Sequence, residues 1–425
     1  MFKFKKIIAG ISVVVLSFTM VQAKTTITCL TNSGHLARHH KPLVEAFNAM
    51  QKEVEVRYAA PAKDYADTHL KLMRASATNT LPDCAFEAYN QLPALVRAMA
   101  NRHQIVDLGV LIDKEASGWL EQNYSKAMLS LGKVDGIQYG MPFNASLIQW
   151  FYNADLFKQA GLDPDHFPTT WNGLFAAAKK LKTLKGITPM FMWMIDGDDW
   201  GLQTLIEMQG GDMVSPDGKK VIFDENNYAV NAMKLARRLV TEGGMRTDQD
   251  RHTQENAFTN GQLGIWGLSP ASSRSYAERV GQKFDLRSAV FTLWNEDKGR
   301  LPAGGNAIII TTKNPEKVAA VWKYIKFMTG PYGQQVAAKI TGYLPTNKAT
   351  MQDQYLGKFY RSNPYYATPV KQYDRAGPWY GYPGTQNQKI WSQQRSVIKA
   401  VMDGKMSPQD GAAELKSIAV ALSEK

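Results

Sequence analysis

Tyr139-Gly-Met-Pro-Phe-Asn-Ala-Ser-Leu-Ile-Gln-Trp-Phe-Tyr-Asn-Ala-Asp-Leu-Phe157 is the stretch on which the fold turns. Pro142 ends whatever precedes it, and Leu147 to Tyr152 is a short aromatic and β-branched run bounded by turn residues, the pattern of a buried strand. Asn144 and Ser146 stand at its entrance. A strand that opens on small polar groups and continues with apolar ones offers hydrogen bonds at a cleft edge while its body anchors in a core. Asn153-Ala-Asp155 then begins a helix, which Gly161-Leu-Asp-Pro164 stops. Thr169 or Thr170 caps the next one, amphipathic from Trp171 through Phe175 and Leu181. The stretch reads as a junction between two lobes.

Upstream, strands and helices alternate. Lys24 to Leu30, Val54 to Tyr58 and Asp83 to Tyr89 are predicted strands, separated by helices carrying Leu43, Ala46 and Phe47 and then Leu70, Leu72 and Met73. A helix through Leu95, Val96 and Met99 follows. That order predicts a parallel sheet covered on both faces, with ligand outside the carboxyl ends of its strands. The rule nominates Thr31 to Gly34, Asp64, Tyr65 and Glu87 to Asn90.

Downstream, the second lobe runs to about Leu301, with helices over Trp171 to Leu184 and Ala229 to Thr241. Met190 to Trp200 packs large side chains beside acidic ones; Asn260 to Trp266 is a turn leading into a strand, and Ser269 to Ser275 a polar loop. The apolar strand Ala307 to Thr311 returns the chain to the first lobe, with helices over Val318 to Met328 and Gly333 to Ile340. From Tyr373 the chain leaves again for C-terminal helices, where Ser407 precedes Pro408 at a first helical position.

Residues 1–23 carry the marks of a secretory signal: basic Lys3, Lys5 and Lys6, an apolar run from Ile7 to Met20, and Val21-Gln-Ala23 as a cleavage site. The run falls short of the roughly 20 residues of a membrane span, and no cysteine follows Ala23. The expectation is an exported, unanchored, soluble protein in the periplasm of a Gram-negative cell. At 425 residues the chain exceeds what one core supports, so two domains are expected. The net charge of +12 comes from scattered residues with no basic block of five, which argues against nucleic-acid binding. An excess of positive potential favours anionic solutes or surfaces.

Met-Pro-Phe-Asn-Ala-Ser146, Phe-Tyr-Asn-Ala-Asp-Leu-Phe-Lys-Gln-Ala-Gly-Leu-Asp-Pro164 and Pro-Thr-Thr-Trp171 together resemble the extracellular solute-binding proteins of carbohydrate ABC importers, most closely the glycerol-3-phosphate-binding members. The resemblance covers nearly the whole chain after residue 23. It implies an α/β, two-lobed periplasmic binding protein fold of class II, maltose-binding-protein-like, with the chain crossing between lobes. The lobes would comprise residues 24–140 with 302–350 and residues 141–301 with 351–425. It also implies a monomer that hands a carbohydrate or polyol solute to ABC permease subunits served by a separate ATPase. In that fold the first and third strands are neighbours, so Cys29 and Cys84 fit a disulfide and two separately buried thiols alike.

A sugar or polyol site needs flat apolar faces for C–H-rich surfaces and a ring of donors and acceptors for hydroxyls leaving water. Trp193, Trp200 and Trp379 are the preferred aromatics. Local matching to the family's ligand-contacting positions implies Tyr65, Glu87, Ser146, Ser272, Gly305 and Tyr343 as further ligand-binding residues. One departure bears on the ligand. The family's phosphate binders use an arginine that is absent from Tyr382 to Gln388, leaving Arg375 or Arg274 to compensate, or a neutral solute held by Glu87, Asp196 and tryptophan faces. An ionised Glu87 repels phosphate and suits the neutral end of a solute.

The alternative is a periplasmic glycan hydrolase pairing Glu87 with Asp196, Asp198 or Asp199 across a scissile bond. The chain carries no nucleophile elbow and no P-loop, so no catalytic residue and no cofactor are assigned. His35, His39 and His40 have zinc-compatible spacing without an acidic ligand nearby. A solvated helix face is the expected reading, and no metal site is assigned.

Overall fold

The computed structural model describes residues 24–195 and 198–423. The signal-like segment and Asp196 lie outside the described residues. Three strands begin the chain's first lobe: β1 (Thr25–Leu30), β2 (Val54–Tyr58) and β3 (Cys84–Ala88). A small hairpin, β4 (Lys133–Val134) and β5 (Ile137–Gln138), leads into β6 (Gly140–Ser146) and β7 (Gln149–Asn153). The second lobe contributes β8 (Thr188–Met192), β9 (Leu263–Leu268) and β10 (Leu286–Val290). Then come β11 (Leu301–Pro302), β12 (Gly304–Ile310), β13 (Leu344–Pro345) and β14 (Ala376–Gly377).

Two main sheets result, with strand orders β13-β6-β12-β3-β1-β2 and β10-β7-β9-β8. The expected parallel sheet holds only for β2-β1-β3. Strands β12, β6 and β13 pair antiparallel, because the chain re-enters this sheet from the other lobe. The six-stranded sheet is covered on both faces. Cys29, Val56, Phe86, Phe143 and Ile308 pack with the helices Lys41–Met50 and Pro315–Met328. Ala85, Ala307 and Ile309 pack with the helices Tyr65–Thr78 and Leu92–Ala100. Among the described residues no helix is long and apolar enough to cross a membrane.

The strand expected over Leu147 to Tyr152 is β7, and a second strand, β6, precedes it. β6 belongs to the large sheet and β7 to the smaller one, and only the buried pair Leu147 and Ile148 joins them. Asn144 and Ser146 are thus strand residues, not an entrance to a strand. Pro142 does not break the chain: it lies inside β6 opposite Ala307, where the register with β12 shifts. A proline without an N–H is tolerated at such an irregularity. The pairing partners that override the local signal arrive more than 150 residues later in sequence.

Local signals hold where neighbours in sequence decide. Asn153 accepts from the Asp155 and Leu156 amides at 3.0 Å and Thr170 from the Gly173 amide at 3.1 Å, each satisfying donors that a helix start leaves free. Ser269 to Ser275 is not a loop but a helix start: Ser269 accepts from the Ala271 amide, Pro270 opens a short 3₁₀ turn, and a helix runs Ser273–Val280. Cys29 and Cys84 stand opposite each other on β1 and β3 and form a disulfide, with Cα atoms 4.5 Å apart.

Candidate functional site

The first wall of the site is set by Asp64. Its carboxylate accepts from the Asp67 amide at 2.9 Å and starts the helix Tyr65–Thr78, which puts Tyr65 and His69 one turn apart on one face. Tyr65 Oη accepts from Asn306 Nδ2 at 3.1 Å. His69 Nδ1 lies 2.9 Å from Glu87 Oε1. Glu87 is fully buried on β3, so loss of hydration pushes its carboxyl pKa up while the His69 contact opposes the rise. Its second oxygen, Oε2, has no hydrogen-bond partner among the described residues. A buried acceptor in that condition is costly unless something else satisfies it.

Tyr343 forms the adjoining wall. His35 lies edge-on to both Tyr65 and Tyr343, with ring centroids at 5.2 and 6.2 Å, and its Nε2 approaches the Tyr343 hydroxyl at 3.4 Å. Gly342 brings Tyr343 against the other lobe. Its φ is +106°, and a Cβ there would meet the Pro270 carbonyl at 2.3 Å. Ser272 is half-buried at the end of that Pro270–Ser272 turn, and Ser146 Oγ hydrogen-bonds Ser269 Oγ across the lobes.

Gly304 and Gly305 connect these walls to the tryptophans. Gly304 pairs with Ser146 and lies beneath the Trp200 indole, whose Nε1 donates to the Pro302 carbonyl at 2.8 Å. Gly305 accepts from the Tyr89 amide at 3.2 Å, and Tyr89 donates its hydroxyl to the Asn144 carbonyl at 2.8 Å. Trp193 is half-buried and edge-on to Trp200 at 6.3 Å, with the Arg251 guanidinium 5.3 Å over its ring.

The structure thus brings Tyr65, Ser146, Trp200, Gly305 and Tyr343 to one region where the lobes meet, with Glu87 behind Tyr65, Ser272 at its far edge and Trp193 beyond Trp200. Trp379 is elsewhere. It lines a cavity of about 380 Å³ between the lobes with Tyr89, Asn90, Arg97, Tyr380 and Tyr382; among the described residues Tyr89 is the lining residue it shares with that region. The segment carrying Trp379 is pinned by Gln203, which donates to the Tyr380 carbonyl at 2.8 Å and accepts from its amide at 3.0 Å. His35, His69 and Asn306 were missed as parts of this site by sequence reasoning, whereas Tyr89 lies within the nominated Glu87 to Asn90. For His69 the spacing of four from Tyr65 is a usable signal; for Asn306 it is adjacency to Gly305.

Neither arginine offered for phosphate stands free. Arg274 is paired with Glu278 and Arg375 with Glu296, both on exposed surface. The carboxylates offered for hydrolysis are also engaged: Asp199 accepts from Gln203 Nε2 at 3.0 Å and Asp198 from the Trp200 amide at 3.0 Å. Burial pushes Asp198 up to about 6 and Asp199, aided by its charged neighbour, up to about 8.

A folded state that holds a proton so tightly loses stability as pH rises from the ordinary carboxylate range towards 8, by up to about 1.4 kcal/mol per pH unit for one group. Asp199→Asn keeps the Gln203 bond and is expected to flatten this slope in urea unfolding at pH 5, 6.5 and 8. Parallel slopes in both proteins would exclude Asp199 as their source.

His35, His39 and His40 do not form a solvated helix face. All three are buried, because a wide π turn over Leu36–His40 lies against Phe86, Phe143 and the helix Pro331–Thr341.

Comparison with known proteins bears on this arrangement. The model of the bacterial extracellular solute-binding protein family matches residues 42–368. The sn-glycerol-3-phosphate-binding periplasmic protein UgpB of Rhizobium meliloti (strain 1021) is 22% identical over 325 residues, 74% of each chain. Among solved structures, the cyclic alpha-maltosyl-1,6-maltose binding protein from Arthrobacter globiformis superposes with a TM-score of 0.78 at 21% identity, covering 95% of this chain and 100% of that one. UgpB from Mycobacterium tuberculosis, in complex with glycerophosphocholine, gives 0.77 at 19% identity, covering 94% and 99%. At these identities the structural likeness is one of fold: a two-lobed, maltose-binding-protein-like architecture.

Proposed function

We propose that this chain, which belongs to the bacterial extracellular solute-binding proteins, is the periplasmic substrate-binding subunit of an ABC importer and captures a carbohydrate or polyol derivative between its lobes. The lobes in this reading comprise residues 24–146 with 304–350 and residues 147–303 with 351–425; the first boundary falls after residue 146, not 140, because β6 pairs inside the larger sheet. Closure places groups from both on one solute, and the closed shape is what the permease subunits recognise. Binding energy goes into selecting that shape, with no bond made or broken.

The observation that carries the reading is Glu87 Oε2, a buried acceptor without a partner among the described residues, close to Tyr65. A solute hydroxyl supplies the missing donor, and the aromatic rings take the C–H faces. In its ionised form Glu87 repels phosphate, and Arg274 and Arg375 are held in surface ion pairs. The neutral, hydroxyl-rich end of the solute therefore belongs at Glu87, and a sugar or polyol is favoured over a glycerol-3-phosphate-like solute. In this reading Ser146, Ser272, Gly305 and Trp193 complete the contacts, while Trp379 lines the separate cavity and is left out of them. Hydrolysis has no support, since the relatives carry binding names.

Calorimetric titration with maltose-type saccharides, polyols and glycerol 3-phosphate, followed by product analysis, tests this. A neutral solute is expected to saturate without turnover. Glu87→Gln is expected to weaken it about 10- to 100-fold, the roughly 1.5–3 kcal/mol of a hydrogen bond to a charged group, while the His69 contact and the fold persist. Unchanged affinity in both Glu87→Gln and Tyr65→Phe would remove the site assignment. Release of product would replace the binder with an enzyme.

A further inference from the structure

We propose that His35, His39 and His40 form a binding site for one divalent transition-metal ion of the zinc class, built into the first lobe beside the proposed solute site. One ligand nitrogen from each ring lies within 4.8 Å of the others. A tetrahedral ion with bonds of about 2.0–2.1 Å holds its ligands roughly 3.4 Å apart, so rotations that advance each ring by less than about 1 Å close the site.

On His39 and His40 the free and bonded nitrogens are sorted as a metal site requires; on His35, Nδ1 lies 3.4 Å from the Asn32 and Asn306 amides and Nε2 3.4 Å from the Tyr343 hydroxyl, so ligation replaces one of these long contacts. His40 Nδ1 lies 2.8 Å from the Tyr58 hydroxyl, which continues to the Tyr324 hydroxyl at 2.9 Å. Its Nε2 has no partner among the described residues. His39 shows the converse arrangement: Nε2 lies 3.3 Å from the Asn144 amide and Nδ1 has no partner. Histidines that bind metal typically donate their other ring N–H to an oxygen, which fixes the tautomer and orients the ring. Tyr58 Oη supplies that oxygen to His40. Asn144 supplies it to His39 once its amide turns over, a change that also gives a partner to Asn144 Oδ1, which otherwise has none.

Packing alone does not explain the cluster. It accounts for the rings, which lie against Phe86 and Phe143, but not for two unsatisfied nitrogens on side chains that are 0% exposed. One ion satisfies both. Three neutral nitrogens suit a borderline ion better than calcium or magnesium, which take oxygen ligands. His35 touches both Tyr65 and Tyr343, so an ion held here stiffens the wall that meets the solute without depending on the solute's identity.

The test uses the mature full-length chain, stripped with chelator, given zinc chloride and desalted, with metal counted by mass spectrometry. The expected result is one zinc retained per chain, and tetrahedral d–d absorption when cobalt(II) replaces it. His39→Gln with His40→Gln is expected to abolish retention, and His35→Gln, at the edge of the cluster, to weaken it at least about tenfold. His166→Gln with His252→Gln removes two exposed imidazoles and is expected to change nothing. No retained zinc in the unmodified chain would overturn the proposal whether or not the variants fold. So would retention undiminished in the double variant at positions 39 and 40, which would assign the metal to surface histidines.

Discussion

Gly305→Ala is expected to leave little or no folded protein. Gly305 has φ of +133°, a region open to glycine and strained for residues with a Cβ. A Cβ there would lie 2.0 Å from the Asn144 carbonyl oxygen and 3.2 Å from the Tyr89 ring. The Asn144 oxygen cannot yield, since β6 is paired by β12 on one side and β13 on the other and that oxygen also accepts from Tyr89. Strain of about 1–3 kcal/mol adds to a backbone clash in the middle of the larger sheet, and together they exceed about 4 kcal/mol. That is a large part of the roughly 5–15 kcal/mol that holds a domain folded. Gly304→Ala is the control. Its Cβ meets nothing closer than the Trp200 indole at 3.6 Å, so it is expected to fold and to alter solute affinity alone. Soluble yield and melting temperature decide; equal yields for the two variants would refute the steric account.

The second large effect belongs to the cross-link between β1 and β3. Cys29 and Cys84 are separated by 55 residues and stand opposite each other in the register. Closing a loop of that length restrains the unfolded chain by about 4 kcal/mol on the chain-entropy account. Cys29→Ala with Cys84→Ala is therefore expected to lower the melting temperature on the order of 5–10 °C, with solute affinity retained. Both residues are 0% exposed, so a mild thiol reductant should leave the native protein cross-linked and act only on the unfolded chain. Matched melts of the two proteins, with and without reductant, test this. Coincident melting curves would show that the bridge adds nothing.

How much of this was legible depended on the range of the cause. Asn153, Thr170 and the strands β1 to β3 were readable because a cap or an alternating pattern is written within a few residues. Pro142 was misread because its strand is held by partners near Ala307 and Leu344, and no local pattern announces them. The buried histidines were misread for a similar reason: the widened turn that hides them is fixed by Phe86, Phe143 and a helix near residue 335. Of the candidate site, the Tyr65 and Glu87 positions followed from the strand-end rule. The His69 contact to Glu87, the Tyr89 link and the detachment of Trp379 needed the third dimension.

The larger sheet receives its central strand late. β12 sits between β3 and β6, yet it is encoded more than 150 residues after either of them, behind the whole of the smaller sheet. Until residue 310 or so has left the ribosome, β3 and β6 have no common neighbour and the first lobe cannot close its hydrogen-bond ladder. Such a chain stays uncommitted until late in its synthesis, and the step that locks the first lobe waits for a strand encoded behind the other sheet.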